Sequence, residues 1–124
     1  MDRLVKTPGP DHPIEITLAQ GVFEAVFAGE VVARSARALL LREADRPAVV
    51  YFPRNDVRMD LFSRSATRTW CPYKGEASYF SLKAADGAAV IADAGWSYET
   101  PLDAMTQIAG CIAFYSGKAD VRPA

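Results

Sequence analysis

This chain is poor in soft metal ligands and thiol bases: His12, Cys71 and Cys111 are the only histidine and cysteines in 124 residues, and each stands alone. A structural zinc site draws four ligands from closely spaced pairs, so no metal and no cofactor is expected. Two cysteines make no disulfide framework. Long apolar runs are also missing, and none approaches the ~18 residues of a membrane span. The opening MDRLVKTPGPDHP holds no apolar segment of the signal-peptide kind. The expectation is a cytoplasmic protein without a membrane partner. Neither G-x-x-x-x-G-K-[ST] nor G-x-G-x-x-G occurs, so no phosphate loop is expected. G-x-S-x-G and H-E-x-x-H are absent too, which removes the serine-hydrolase elbow and the zinc-protease helix. Net charge is −1, so nothing draws the whole chain to nucleic acid, and no nucleic-acid partner is expected. Long helical patterns are lacking, which argues against a parallel βαβ fold.

Half the residues are hydrophobic, and the length suits one domain with its own core. Residues 1–13, with three prolines and a glycine, read as an extended N-terminal arm, and 14–124 as a single β domain. The period then becomes two. Ile14, Ile16 and Leu18 share one face of IEITL, and Phe23, Ala25 and Phe27 share one face of VFEAVFA. EVVARS, ARALLLRE, AVVYF, SYFSLKA, AAVIADA, WSYE and CIAFY continue as strands. Gln20-Gly21, Ala28-Gly29 and Ser35 break the runs at hairpin spacing, and Asp86-Gly87 is a type I′ hairpin signal. Pro101 to Gly110 has room for one short helix. The class expected is all-β: a small antiparallel two-sheet sandwich or partly open barrel, with at most short helical turns.

Between AVVYF and ASYFSL lie about 25 residues dense in Arg, Asp, Trp, Cys and Lys, read as an irregular excursion of the kind that carries sites. Residues 54–75 hold five Lys/Arg against two Asp/Glu, the one basic island in the chain. The bland alternative is a solvated loop with internal salt bridges. Within it, Cys71-Pro72-Tyr73-Lys74-Gly75 places a thiol beside a cation able to lower its pKa, making Cys71 and Lys74 the catalytic candidates. A thiol nucleophile also needs a base, and His12 is the only histidine; Cys71 equally fits a buried structural residue in a turn. Asp56 and Asp60 are spaced for a metal-binding pair, with an Arg–Asp network through Arg58 as the alternative. In LLLRE, alternation puts Glu43 on the face of Leu39 and Leu41, where a buried carboxylate needs a cation; Arg54 is the first choice. The competing reading leaves Glu43 in water at a frayed strand end. Tyr51, Phe52, Trp70, Tyr73, Tyr79, Trp96 and Tyr98 suit either a flat ligand or a small β core.

Tyr51-Phe52-Pro53-Arg54 with Asp56-Val57, the Cys71–Gly75 block with Tyr79, Trp96-Ser97-Tyr98 before Pro101, and Ile112-Ala113-Phe114-Tyr115 together carry a resemblance. The chain resembles, from His12-Pro13 to about Val121, the bacterial family called domain of unknown function 427, also labelled a nucleotidyltransferase-type domain. The resemblance implies a small, mostly β domain without an established activity, its sheets splayed like a tent. The Gly-Ser pair and Asp-x-Asp of nucleotidyltransferases do not occur here.

These readings converge on a basic, aromatic-lined pocket for a small anionic, nucleotide-like metabolite, with or without catalysis. Glu43, Arg54, Tyr73, Lys74, Tyr79, Trp96 and Tyr98 are its expected ligand-binding residues. The alternative is a non-catalytic protein-interaction module. A concave pocket favours the first and a flat exposed aromatic patch the second.

Overall fold

The computed structural model describes residues 3–83 and 90–124. Strands dominate, as the period-two pattern requires, and every pairing is antiparallel. β1 (Ile14–Leu18), β4 (Leu39–Glu43) and β5 (Val49–Tyr51) form one sheet in the order β1-β4-β5. A second sheet orders β10 (Asp120–Pro123), β2 (Phe23–Phe27) and β3 (Glu30–Ser35) as β10-β2-β3. The third runs β6-β7-β8-β9 through Phe62–Cys71, Gly75–Lys83, Val90–Ser97 and Ala113–Phe114. The all-β antiparallel class holds, with three sheets and no closed barrel among the described residues. Among the described residues no helix is long and apolar enough to cross a membrane.

The sheets are joined where β5 ends and β9 begins. Phe52 and Ile112 exchange both backbone hydrogen bonds at 2.8 Å, and Arg58 N–H donates to Val32 O at 2.8 Å. Two hydrophobic cores lie on opposite sides of this junction. Phe27, Phe52, Phe62, Phe80, Ile112 and Phe114 fill the first. Leu41, Tyr51, Tyr79, Tyr98, Met105 and Ile108 fill the second. Alternation divides β4, β5 and β9 between them: Leu41 and Tyr51 face one core while Leu40 and Phe52 face the other. Each fully buried side chain of this size adds roughly 1.5–3 kcal/mol, so both cores contribute substantially.

The stretch read as an irregular excursion is instead mostly structured. Two 3₁₀ turns, Arg54–Asp56 and Met59–Leu61, lead into β6, the longest strand. Its residues FSRSATRTWC are polar on both faces because it is an edge strand, so no hydrophobic alternation betrays it. Its ladder to β7 shifts register between Arg64 and Arg68, where Ser65 and Thr67 donate to the Asp93 carboxylate at 2.6 and 2.7 Å. Bulged, charged edges of this kind resist pairing with other chains. β10 has equally little apolar pattern and is held by backbone pairing with β2.

Only one of the early turn signals closes a hairpin. Ala28 (φ 48°) and Gly29 (φ 82°) connect β2 to β3, the two positive φ values of a type I′ turn. Gln20-Gly21 and Ser35 mark crossings between sheets, since β1 pairs with β4 rather than β2. Within AAVIADA and WSYE, Val90 to Ser97 form the single strand β8, and Ala88 and Ala89 lie outside the described residues. β8 passes under Phe114 at Gly95, where a Cβ would meet Ala113 O at 2.9 Å. The Asp86-Gly87 turn lies outside the described residues, although β7 and β8 on either side of it do pair. The expected short helix near 101–110 is a 3₁₀ pair, Asp103–Ile108, kinked at Met105.

Candidate functional site

Glu43 ends β4 on the face of Leu41, as alternation requires, and is only 5% exposed. Beyond it Ala44 takes a positive φ of 50° and donates its N–H to Pro13 O at 2.8 Å, which turns the chain and keeps the carboxylate inside. Lys74 reaches the same spot from the tight turn between β6 and β7. Cys71 pairs with Gly75, so Pro72, Tyr73 and Lys74 form the turn itself. Gly75 has φ 109°, a value that suits glycine, and Leu102 N–H donates to Lys74 O at 2.9 Å. The Lys74 ammonium, in a side chain that is 8% exposed, donates to Glu43 Oε1. Glu43 Oε2 lies 2.7 Å from His12 Nε2 and 3.4 Å from Arg46 Nη1. Burial pushes the Glu43 carboxyl up, but hydrogen bonds from Lys74 and His12 and the charges of Lys74 and Arg46 outweigh it, leaving its pKa below the ordinary value.

This ion pair forms one wall of a cavity of about 240 Å³. Tyr51, Tyr79, Tyr98 and Tyr115 surround it together with Trp96, and Arg46 stands at its mouth with a side chain 64% exposed. Trp96 Nε1–H points at Tyr51 Oη from 3.4 Å, and Tyr79 Oη lies 2.8 Å from Thr69 Oγ1. Burial raises the Tyr51 and Tyr98 phenols, and pushes Tyr115 up to about 12 with help from its hydrogen bond to Tyr79. These three are therefore neutral hydroxyls at physiological pH. Every donor needed to hold an oxyanion is present: an ammonium, a guanidinium and phenolic O–H groups.

Five of the expected ligand-binding residues, Glu43, Lys74, Tyr79, Trp96 and Tyr98, line this one cavity. Arg54 and Tyr73 do not. Arg54 opens a 3₁₀ turn, and its guanidinium is taken by Gly110 O at 2.9 Å, Ser97 Oγ at 3.2 Å and Glu99 Oε2 at 3.1 Å. Arg64 binds the same Glu99 bidentately at 2.6 and 2.9 Å. Hydrogen bonding from Arg64, against a smaller opposing effect of burial, brings the Glu99 carboxyl down to about 2. Tyr73 sits at the tip of its turn and stacks on His12, ring centroids 4.1 Å apart at 9°. Glu43's buried cation is thus Lys74 rather than Arg54.

Cys71 is half-buried with Sγ 3.9 Å from Lys74 Nζ, and it packs beside the second core rather than lining the cavity. His12 is engaged with Glu43, not with the thiol. Asp56 and Asp60 part company: Asp56 accepts from Ser35 Oγ at 2.5 Å and Arg37 at 3.2 Å, while Asp60 is 73% exposed, 4.0 Å from Arg58. Among the described residues no three His, Cys, Asp or Glu side chains gather as a metal site. The basic island is largely neutralised, with Arg58 on Glu30, Arg54 and Arg64 on Glu99, and Lys74 on Glu43.

Sequence reasoning did not place Arg46, His12 or Tyr115 in or beside the site. Arg46 lies three residues past Glu43 in the Asp45-Arg46-Pro47 turn, so local spacing carried a signal. The other two come from the chain's remote ends: His12 enters the sequence reading only as a base for Cys71, and Tyr115 only within a family motif.

A family model described as "Domain of unknown function (DUF427)" matches residues 15–123. The chain belongs to this family. The match spans β1 through β10 and so includes both arms of the buried ion pair, Glu43 and Lys74, whereas His12 precedes it. No curated protein matches the chain.

Proposed function

We propose that this DUF427 domain binds a small anionic metabolite in the Glu43–Lys74 cavity. The observation that carries the reading is the buried Lys74–Glu43 pair in the wall of a concave space rich in tyrosine. A buried ion pair is a weak source of stability, because the attraction only offsets the desolvation of both ions. Its position in a concave site gives a binding role a physical rationale. Lys74 and Arg46 against Glu43 leave the cavity one positive charge in excess. Neutral phenols add donors without adding charge. The aromatic groups support this reading over the interaction module, since Tyr51, Tyr79 and Tyr98 are buried around a cavity instead of forming a flat exposed patch.

Arg46 offers the cleanest test, because it is exposed and its removal should spare the fold. Thermal shift and titration calorimetry with inorganic phosphate, short carboxylates, nucleotides and neutral analogues should identify anions that stabilise the wild type. A ligand at ~100 times its Kd adds roughly 2.7 kcal/mol. Arg46→Glu should abolish that stabilisation, at a modest cost to the apo protein from the like charge placed near Glu43. Equal anion responses in wild type and Arg46→Glu, or none in either, would count against the reading.

A further inference from the structure

The cavity does not end at Trp96. A second space of about 440 Å³ adjoins it and shares Arg46, Pro47, Val49, Trp96 and Tyr115. The Trp96 and Tyr115 rings, 4.6 Å apart and tilted by 47°, border both. Beyond the shared residues the second space adds Ala48, Val50, Phe114 and Val121 and one polar side chain, Ser116. The two spaces thus divide by chemistry. The first offers an ammonium, a guanidinium and phenols. What the second adds is mainly hydrocarbon.

We infer that the ligand is a monoanionic amphipathic acid, its carboxylate held by Lys74 and Arg46 and its alkyl or aryl body lying past Trp96 against Val50, Phe114 and Val121. This rests on the anion-binding reading above and narrows it. Three observations favour this class over a nucleotide. The first cavity carries one net positive charge, which matches a carboxylate; a di- or triphosphate would bring several negative charges beside the buried Glu43 carboxylate. At about 240 Å³ it falls below the ~300–1,000 Å³ of sites that hold a whole drug-sized ligand, so it suits a head group with the remainder elsewhere. Past the shared residues the second cavity adds only one polar side chain, Ser116, to read the edge of a nucleobase, whereas Val50, Phe114 and Val121 can bury methylenes.

The chain itself supplies the reporter. It has two tryptophans, and Trp70 lies apart from the cavity, its Nε1–H donating to Leu4 O at 2.8 Å with Arg3 over its ring. Indole N–H resonances of the ¹⁵N-labelled protein should be followed while butanoate, hexanoate, octanoate, octanol, AMP and ATP are titrated below any micelle-forming concentration. The expected result is that the fatty acids shift Trp96 and leave Trp70 in place. Affinity should rise by about fourfold for each methylene buried. Octanol, AMP and ATP should bind at least tenfold more weakly than octanoate. Val121→Thr, which adds a hydroxyl without a charge, should weaken octanoate more than butanoate and so flatten the chain-length dependence. If AMP or ATP binds more tightly than octanoate, or chain length has no effect, while Arg46→Glu still weakens the anions, the amphipathic class is wrong and anion binding survives. If no anion perturbs Trp96, both fall together.

Discussion

Glu43 and Glu99 are built alike and placed differently. Each carboxylate is shared by two or more cationic partners, and each ionises below the ordinary range. Glu43 is buried with Lys74 beside a cavity; Glu99 is about one-third exposed between Arg54 and Arg64 on the surface. The comparison teaches that the chain spends its cations mainly on internal pairing, and that burial decides what each pair means. On the surface, water screens the pair and its net contribution is small. In the interior, neither ion can be removed without stranding the other.

The largest effect should follow from stranding Glu43. Lys74→Met is expected to lower stability at neutral pH by about 3–5 kcal/mol, read from urea unfolding. Adding Glu43→Leu should recover much of the loss, because the unpaired charge then disappears. A single-variant loss below about 1 kcal/mol would erase the contrast between the two clusters.

Arg54 should come next, since it belongs partly to the interior. Arg54→Ala removes the donors to Gly110 O and to Ser97, which is fully buried, and should cost about 1–3 kcal/mol. A cost no larger than that of Arg64→Ala would show that the internal bonds add nothing to the surface pair.

Acid separates the two carboxylates further. Both pKa values are depressed in the folded state, so their stabilisation is present above the ordinary value of 4.5 and is lost as pH falls through the folded values, for Glu99 near 2. The stabilisation carried by these two carboxylates should be fully present from neutrality to about pH 5 and decline below 4.5. The share carried by Glu99, discounted for its exposure, is about 1 kcal/mol, and Glu99→Gln should remove that part of the acid limb. An unchanged limb in Glu99→Gln would assign it all to Glu43 and other groups.

The smallest effect is expected at Arg64→Ala: under about 1 kcal/mol, shrinking further in high salt because the pair is solvent-exposed. A salt-insensitive loss would place Glu99 in the interior class.

Much of this was legible in the residues. Leu39, Leu41 and Glu43 share a face because side chains alternate along a strand, so spacing offered a buried carboxylate beside the alternative of a frayed end in water, and the structure decides for burial. The Cys71–Gly75 turn and the aromatic strand at Trp96 were equally visible. β6 was not, because an edge strand with polar groups on both faces carries no period-two pattern and forms through its backbone pairing with β7. The partner of Glu43 was misassigned for a related reason: Arg54 and Lys74 are both cations in the same stretch, and composition does not say which one the backbone turns inward.

The sequence by itself determined the all-β class, the turn residues, the family and most of the aromatic lining, since these depend on local alternation, φ preferences and motifs. Only the tertiary structure decided that Lys74 meets Glu43, that Arg54 is diverted to Gly110 and Glu99, and that His12 returns from the N-terminus to the same carboxylate. Those contacts span from 31 to 56 residues of chain. They depend on how three sheets dock around two cores, and no local preference encodes that docking.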